Sequence, residues 1–323
     1  MTPLGIRNEI MWKSTAPSNI ALIKYMGKRP DSGNYPDNPS LSFTLDDLVT
    51  TVELSLTDTE DKWAPLLIDG CEPITLNTQA QTRFLGHLQR LKTHFGYQGH
   101  FLVRSNNNFP HSSGLASSAS SFAALTKVAC LALAELTQQS LPSIKEQAQW
   151  SRMGSGSSCR SFYTPWVLWE GEAVTPVDMP YKRLIHQVVI IEKHPKAVSS
   201  SEAHQRVASS PLYLGRPART ALRLSQLMSA MHQQDWLKTY QIVKDEFLDM
   251  HALFSTAAQP FQYMTDESKT VLHAIDALWQ KNQDGPLVTM DAGPNIHLLY
   301  REDQAVLAEK IKTTSYLGPY HVR

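Results

Sequence analysis

The chain has 323 residues, 42% of them hydrophobic, and its 30 basic and 30 acidic side chains cancel. That balance excludes the broad positive field with which a protein holds nucleic acid or an anionic membrane, and the length suits one large or two moderate domains. Three cysteines with no CxxC spacing, and twelve scattered histidines with no HExxH, argue against a disulfide framework and a zinc site.

Residues 1–15 hold no apolar run of the kind a secretory signal needs, so a cytoplasmic chain with reduced thiols is expected. In chain order, residues 20–23 read as a short buried strand that runs straight into Lys24, Tyr25, Met26, Gly27 and Lys28. Lysines at a strand end are either solvated or poised for a phosphate or carboxylate, and the adjacent glycine turn favours the second reading. Residues 29–40, rich in Pro, Asp, Asn and Gly, read as a loop. Residues 41–45 and 51–56 alternate as half-buried strands, with Asp46 and Asp47 as the turn between them, and 58–64 read as a loop. Phe84, Leu85, Leu88 and Leu91 set a helical period over 79–95, which Gly96 ends.

An apolar strand at 101–103 then leads into Asn107-Asn108-Phe109-Pro110-His111-Ser112-Ser113-Gly114-Leu115-Ala116-Ser117-Ser118, followed by an apolar helix over 122–136. Such a stretch is either a plain serine cap or a helix N-terminus whose N–H groups and hydroxyls receive a phosphate. It is not the Walker sequence. The most apolar run, near 128–136, is too short to span a membrane. Pro142 and Ser143 open another helix toward Trp150. Residues 151–161 crowd two glycines and five serines around Arg152 and Arg160, either as a flexible linker or as a nest of N–H groups with a guanidinium beside it. An aromatic strand over 162–169 follows directly, which disfavours a linker.

Residues 171–182 read as a loop, and a strand at 188–191 marks a second domain, dividing the chain into 1–186 and 187–323. A hydroxyl cluster at 199–201 precedes helices over 222–231 and 236–248, and a further helix begins at Thr265 and ends before Gly285-Pro286. A strand at 288–290 delivers Asp291 to Gly293-Pro294, where a carboxylate serves as a turn cap or a general base. A strand at 296–300 and a helix at 303–312 close the chain.

Four blocks, in this order, carry a family resemblance: Ser18-Asn19-Ile20-Ala21-Leu22-Ile23-Lys24-Tyr25-Met26-Gly27-Lys28; Asn108-Phe109-Pro110 with Gly114-Leu115-Ala116-Ser117-Ser118-Ala119; Gly154-Ser155-Gly156-Ser157-Ser158-Cys159-Arg160-Ser161; and Met290-Asp291-Ala292-Gly293-Pro294-Asn295. The chain resembles the diphosphomevalonate decarboxylases, within the superfamily of galactokinase, homoserine kinase and mevalonate kinase. The resemblance implies an α+β fold of two domains: an N-terminal domain with a left-handed βαβ unit, a ferredoxin-like C-terminal domain, and an active site in the cleft between them. It implies ATP-dependent decarboxylation of 5-diphosphomevalonate, with Mg²⁺, in the mevalonate pathway, by a cytoplasmic homodimer with no nucleic-acid or membrane partner.

By the same resemblance Asp291 is the catalytic base, Lys24 pairs with it and keeps it ionised, and Arg160 lies at the substrate carboxylate. Tyr25, Met26, Gly27, Lys28, Ser155, Gly156, Ser157, Ser158, Cys159, Arg160, Ser200 and Ser201 hold the substrate. Ser112, Ser113, Gly114, Leu115, Ala116, Ser117 and Ser118 hold the nucleotide; no metal ligand is identified. The sequence departs from the family at Met26, where tryptophan is usual, and at His111-Ser112-Ser113, where smaller residues are usual. A diphosphate-holding arginine expected near 79–83 does not align, and some relatives have arginine where Ser201 stands. A phosphomevalonate decarboxylase, a mevalonate 3-kinase or a non-catalytic nucleotide-binding relative are the alternatives.

Overall fold

The computed structural model describes residues 11–29, 33–109, 117–192, 197–318 and 320–322. The described residues form two compact units, one from 11–18, 46–109 and 117–162, the other from 19–29, 33–45, 163–192, 197–318 and 320–322. Strands β1 (Met11–Ile23) and β2 (Ser40–Thr57), which pair with each other, contribute residues to both.

The first unit continues with β3 (Lys62–Pro65), α1 (Thr78–Phe95), β4 (His100–Asn107), α2 (Ser117–Thr137), α3 (Ile144–Gly154) and a 3₁₀ turn at Gly156–Phe162. β3 and β4 run parallel with α1 between them, a βαβ unit, and β4 pairs antiparallel with Thr50–Thr57 of β2. Asn77 caps α1 by accepting the Ala80 N–H at 2.8 Å, and Gly96 ends it at φ 69°. Ser143 and Glu146 form a reciprocal capping box on α3. Helix α2 is apolar nearly all round and lies in the core, with Phe122 edge-on to Phe84 of α1 at 5.3 Å between centroids. At 21 residues it is longer than the apolar run read from the sequence, and by length and composition alone it could cross a membrane. However, 72% of its most apolar window is buried inside the protein, as in a core helix.

The second unit comprises β5 (Trp166–Glu170), β6 (Ala173–Pro176), β7 (Ile185–Ile190), α4 (Ser200–Arg206), α5 (Arg216–His232), α6 (Trp236–Thr256), α7 (Asp266–Asn282), β8 (Leu287–Met290), β9 (Ile296–Tyr300), α8 (Ala305–Thr313) and β10 (His321–Val322). Ser40–Phe43 of β2 pairs with β5, which pairs with β6. The remaining strands form an antiparallel sheet in the order β10-β7-β9-β8. Helices intervene between β7 and β8, and α8 lies between β9 and β10, so this is the β-α-β-β-α-β succession of a ferredoxin-like sheet. Two indoles brace the entrance to β8: Trp236 donates to the Gly285 carbonyl at 2.8 Å and Trp279 to that of Pro286 at 2.9 Å.

Some local readings are corrected. Asp46 and Asp47 do not turn the chain. β2 is a single strand that leaves the ladder with β5 and enters the ladder with β4, and the two aspartates sit on the exposed stretch between them, where carboxylates keep their water. Residues 62–64, read as part of a loop over 58–64, belong to the four-residue strand Lys62–Pro65, and residues 173–176, within the loop read over 171–182, form another. Each exists through its neighbour's ladder rather than through a pattern of its own. The strand expected over 162–169 begins only at Trp166, because Phe162 still belongs to the 3₁₀ turn.

Candidate active site

Asp291 stands immediately beyond β8, and its carboxylate meets an ammonium group that enters from the far end of the sequence. Lys24 Nζ donates to Asp291 Oδ1 at 2.6 Å; the lysine side chain is 2% exposed and that of the aspartate 28%. A buried cation beside a carboxylate favours the charged form of that carboxylate. The turn that carries Asp291 is fixed at several points. Gly293 N–H donates to the Asp291 carbonyl at 2.8 Å, and Ser268 at the start of α7 donates to that of Pro294 at 2.8 Å. Asn295 accepts the N–H groups of Ile191 and Glu192 at 2.7 and 3.0 Å, stapling the turn to the end of β7. Burial pushes His251 of α6 down to about 4, so it is neutral near pH 7 and its Nε2–H donates to the Asp291 carbonyl at 3.2 Å.

The segment after Lys24 is just as confined. Tyr25 stacks obliquely between Trp169 and His204, at 4.6 and 4.4 Å between centroids. Met26 is buried among Ala203, Val207, Met250, Leu253, Phe254, Tyr263 and Ala292, a packed core cluster. Gly27 adopts φ 102° and donates its N–H to His204 Nδ1 at 3.0 Å. A side chain there would also strike the Tyr213 ring, which is itself tied to Asp37 through its hydroxyl. Lys28 Nζ donates to Asn34 Oδ1 at 2.8 Å. Ser200 and Ser201 are the exposed first residues of α4, capped by Ser199; one turn on, the same helix presents His204 to Tyr25 and Gly27. Gly27→Ala is therefore expected to cost roughly 1–3 kcal/mol in backbone strain alone. It should lower the melting temperature and turnover together; a variant matching the parent in both would show that the tight turn is dispensable.

In the first unit, Ser155 caps α3 and the 3₁₀ turn Gly156–Phe162 follows. Most of this segment is buried, which sets aside the linker reading: Ser155, Gly156, Ser158, Cys159 and Arg160 lie inside, and Ser157 is half-buried. Ser158 receives a hydrogen bond from Ser151 Oγ and donates to the Ser155 carbonyl, each at 2.6 Å, and Cys159 Sγ points to the Gly156 carbonyl at 3.1 Å. Burial pushes the Cys159 thiol up to about 12, so it is an uncharged wall, not a nucleophile. Gly154 admits no side chain, because a Cβ would strike Phe122 and lie 2.9 Å from His87 Cγ. Arg83, the arginine of the 79–83 stretch, donates Nε and Nη2 to the Gly154 carbonyl at 3.1 and 2.8 Å and lies over the Phe122 ring. These contacts hold Arg160 on a rigid turn.

Of the expected nucleotide loop, Ser112, Ser113, Gly114, Leu115 and Ala116 lie outside the described residues. Ser117 and Ser118 are the first described residues of α2, and Ser155 Oγ donates to Ser118 Oγ at 3.4 Å. Hydroxyls of this kind are donors that nucleotide phosphates can use. Among the described residues, no group of three or more His, Cys, Asp or Glu side chains is gathered for a metal ion.

Asn38, His204, Glu246 and His251 shape this site and were not singled out from the sequence, whereas Asn295 closes the fourth of the blocks quoted above, with no role given to it there. Glu246 left a trace as a carboxylate falling on the apolar stripe of α6.

Residues 16–175 match the diphosphomevalonate decarboxylase-like N-terminal domain, and residues 186–316 the mevalonate 5-diphosphate decarboxylase C-terminal domain. The chain is 34% identical to a diphosphomevalonate decarboxylase of Aspergillus fumigatus over 95% of its own length and 80% of the relative's. Among solved structures, a mevalonate diphosphate decarboxylase from Legionella pneumophila is 54% identical, with a TM-score of 0.92 over 97% of this chain and 100% of that one. One from Enterococcus faecalis, described for its mevalonate diphosphate mediated ATP binding mechanism, is 27% identical with a TM-score of 0.81, over 97% and 95% of the two chains. With the paired Lys24 and Asp291, the buried Arg160 turn and the ferredoxin-like sheet all in place, these matches span both halves of the molecule, and the chain belongs to the diphosphomevalonate decarboxylase family.

Proposed function

We propose that this chain catalyses the ATP-dependent decarboxylation of (R)-5-diphosphomevalonate to isopentenyl diphosphate, ADP, phosphate and carbon dioxide. The observation that carries the mechanism is the 2.6 Å pair of Lys24 and Asp291 on a braced turn. Asp291 orients the tertiary 3-hydroxyl and accepts its proton as the oxygen attacks the γ-phosphorus of ATP. Lys24 keeps Asp291 ionised until then. Arg160 forks onto the substrate carboxylate and holds it as phosphate leaves and C3 becomes cation-like. The carbon–carbon bond then breaks, its electron pair forming the new double bond and releasing carbon dioxide. The segments at 25–28, 155–160 and 200–201 receive the substrate and its diphosphate.

The hydroxyls of Ser117 and Ser118 fit the ATP phosphates, and Mg²⁺, an oxygen-seeking ion that favours phosphate ligands, accompanies them to neutralise charge. The division at residues 186 and 187, with nucleotide phosphates on the N-terminal side and the aspartate on the C-terminal side, is supported by family models that meet between residues 175 and 186. A cytoplasmic homodimer without nucleic-acid or membrane partners completes the reading; balanced charge suits it.

A second reading, decarboxylation of 5-phosphomevalonate, has one observation in its favour: Arg83, in the stretch where a diphosphate-holding arginine was sought, has Nε and Nη2 on the Gly154 carbonyl. Product analysis with ATP, Mg²⁺ and each of mevalonate, its 5-phosphate and its 5-diphosphate decides between them. Equal yields of ADP and carbon dioxide from the diphosphate alone are expected. Preference for the monophosphate would establish the second reading, and ADP without carbon dioxide would make the enzyme a 3-kinase.

A further inference from the structure

Helices α5 and α6 meet across a cluster of five charges. Arg216, wholly buried, donates Nη2 to Glu246 Oε1 and Nη1 to Asp249 Oδ2, each at 2.5 Å. Arg223 reaches Glu246 Oε2 and Asp249 Oδ2, both at 3.1 Å, and Arg219 reaches Asp249 Oδ1 at 3.0 Å. Burial works against the charge on Asp249, yet the surrounding guanidinium groups hold its carboxyl below the ordinary range.

Buried ions are a costly way to join two helices, since apolar side chains of similar size do so at least as well. What distinguishes this cluster is where its remaining hydrogen bonds go. Glu246 Oε1 accepts the backbone N–H of Lys24 at 3.1 Å, and Arg216 Nη2 donates to the Lys24 carbonyl at 3.4 Å. Asn38 Nδ2 reinforces that carbonyl at 2.8 Å. Both backbone groups of the lysine are thereby held from α5 and α6. The same cluster reaches the segment that closes over Gly27: Arg219 donates to the Leu212 carbonyl at 3.0 Å, next to Tyr213. A lysine with several rotatable bonds delivers its ammonium to a fixed point only if its backbone is fixed first.

We propose that Glu246 and Arg216 are positioning residues for the reaction: they clamp the backbone of Lys24 and so set its ammonium against the Asp291 carboxylate. The proposal rests on the reading of Asp291 as the base. Neither residue touches the reacting atoms; both act through Lys24.

The test combines steady-state kinetics with hydrogen exchange on Glu246→Gln, on the milder Arg223→Gln, and on Arg301→Gln as a stability control. Arg301 bridges Asp284 and Asp303 in the same unit and lies over Trp236, the first residue of α6, ten residues before Glu246. Glu246→Gln keeps an acceptor for Lys24 but sets an amide N–H₂ against a guanidinium. Its kcat is expected to fall about 10- to 100-fold with KM values for ATP and substrate changed less than about 3-fold, because the loss is in alignment rather than in binding. Exchange over residues 20–28 should quicken about 10-fold, with no such change in Arg301→Gln. Arg223→Gln should show the same pattern at smaller amplitude, and it decides the matter if Glu246→Gln does not fold. Unchanged kcat or unchanged exchange at 20–28, or an equal kcat loss in Arg301→Gln, would overturn the proposal. A parent enzyme inactive on every mevalonate derivative would instead overturn the proposed function, while the exchange data still report whether Lys24 is clamped.

Discussion

Asp291→Ala is expected to lower kcat by about 10³- to 10⁴-fold, the upper range for loss of a general base, while ATP still binds. The carboxylate is the more exposed member of its pair and the lysine the buried one, which makes Asp291 the member placed to meet a substrate hydroxyl. Removing it also takes from a buried ammonium its carboxylate partner at 2.6 Å. Breaking a buried ion pair costs about 3–5 kcal/mol at most, and less here because the aspartate is partly in water. Asp291→Asn separates the two effects: it keeps the size and an acceptor for Lys24 but cannot take a proton. Both variants should show the collapse in ADP release, and calorimetry should show nucleotide binding retained. Near-parental turnover in Asp291→Asn would remove the residue from the role of base.

Arg160→Gln is expected to slow carbon dioxide release by about 10²- to 10³-fold, as for loss of a main electrostatic stabiliser. Arg160 is buried on a turn whose neighbours Ser158 and Cys159 spend their side-chain hydrogen bonds locally. Glutamine keeps a donor but loses the charge and the fork that match a carboxylate. Phosphorylation of the 3-hydroxyl relies less on that contact than carbon–carbon cleavage does. A rapid-quench time course should therefore show ADP running ahead of carbon dioxide in the variant and level with it in the parent. Equal, parental rates of both would take Arg160 out of the mechanism.

Much of this molecule was legible because the signals are local. Gly96 stops α1 where the apolar period ends, Ser143 and Thr265 cap α3 and α7, and a strand brings Asp291 to a Gly-Pro turn. The errors share a cause. Asp46-Asp47 has the composition of a turn, but β2 continues because each of its ends has a different partner strand, and pairing outweighs local preference. Strands β3 and β6 were invisible because four residues carry no period. The burial of Met26 follows from α4 and α6 packing around it, which no neighbouring residue announces.

By itself the sequence determined the chemistry available: a carboxylate at a strand end, an arginine in a tight serine-rich turn, a lysine at the end of a buried strand, and hydroxyls before an apolar helix. It determined most helices too, since caps and periods act over three or four residues. Only the tertiary structure decided that Lys24 and Asp291 meet across 267 positions of chain, that Asn295 staples the catalytic turn to residues 191 and 192, and that a charge cluster on α5 and α6 grips the lysine backbone. Those contacts depend on which strands pair and which helix faces oppose each other. Arg216, Arg219 and Arg223 on one helix, and Glu246 and Asp249 on another, carry no sign in the sequence of which charge meets which; packing of the two helices pairs them and buries Arg216 and Glu246 between them.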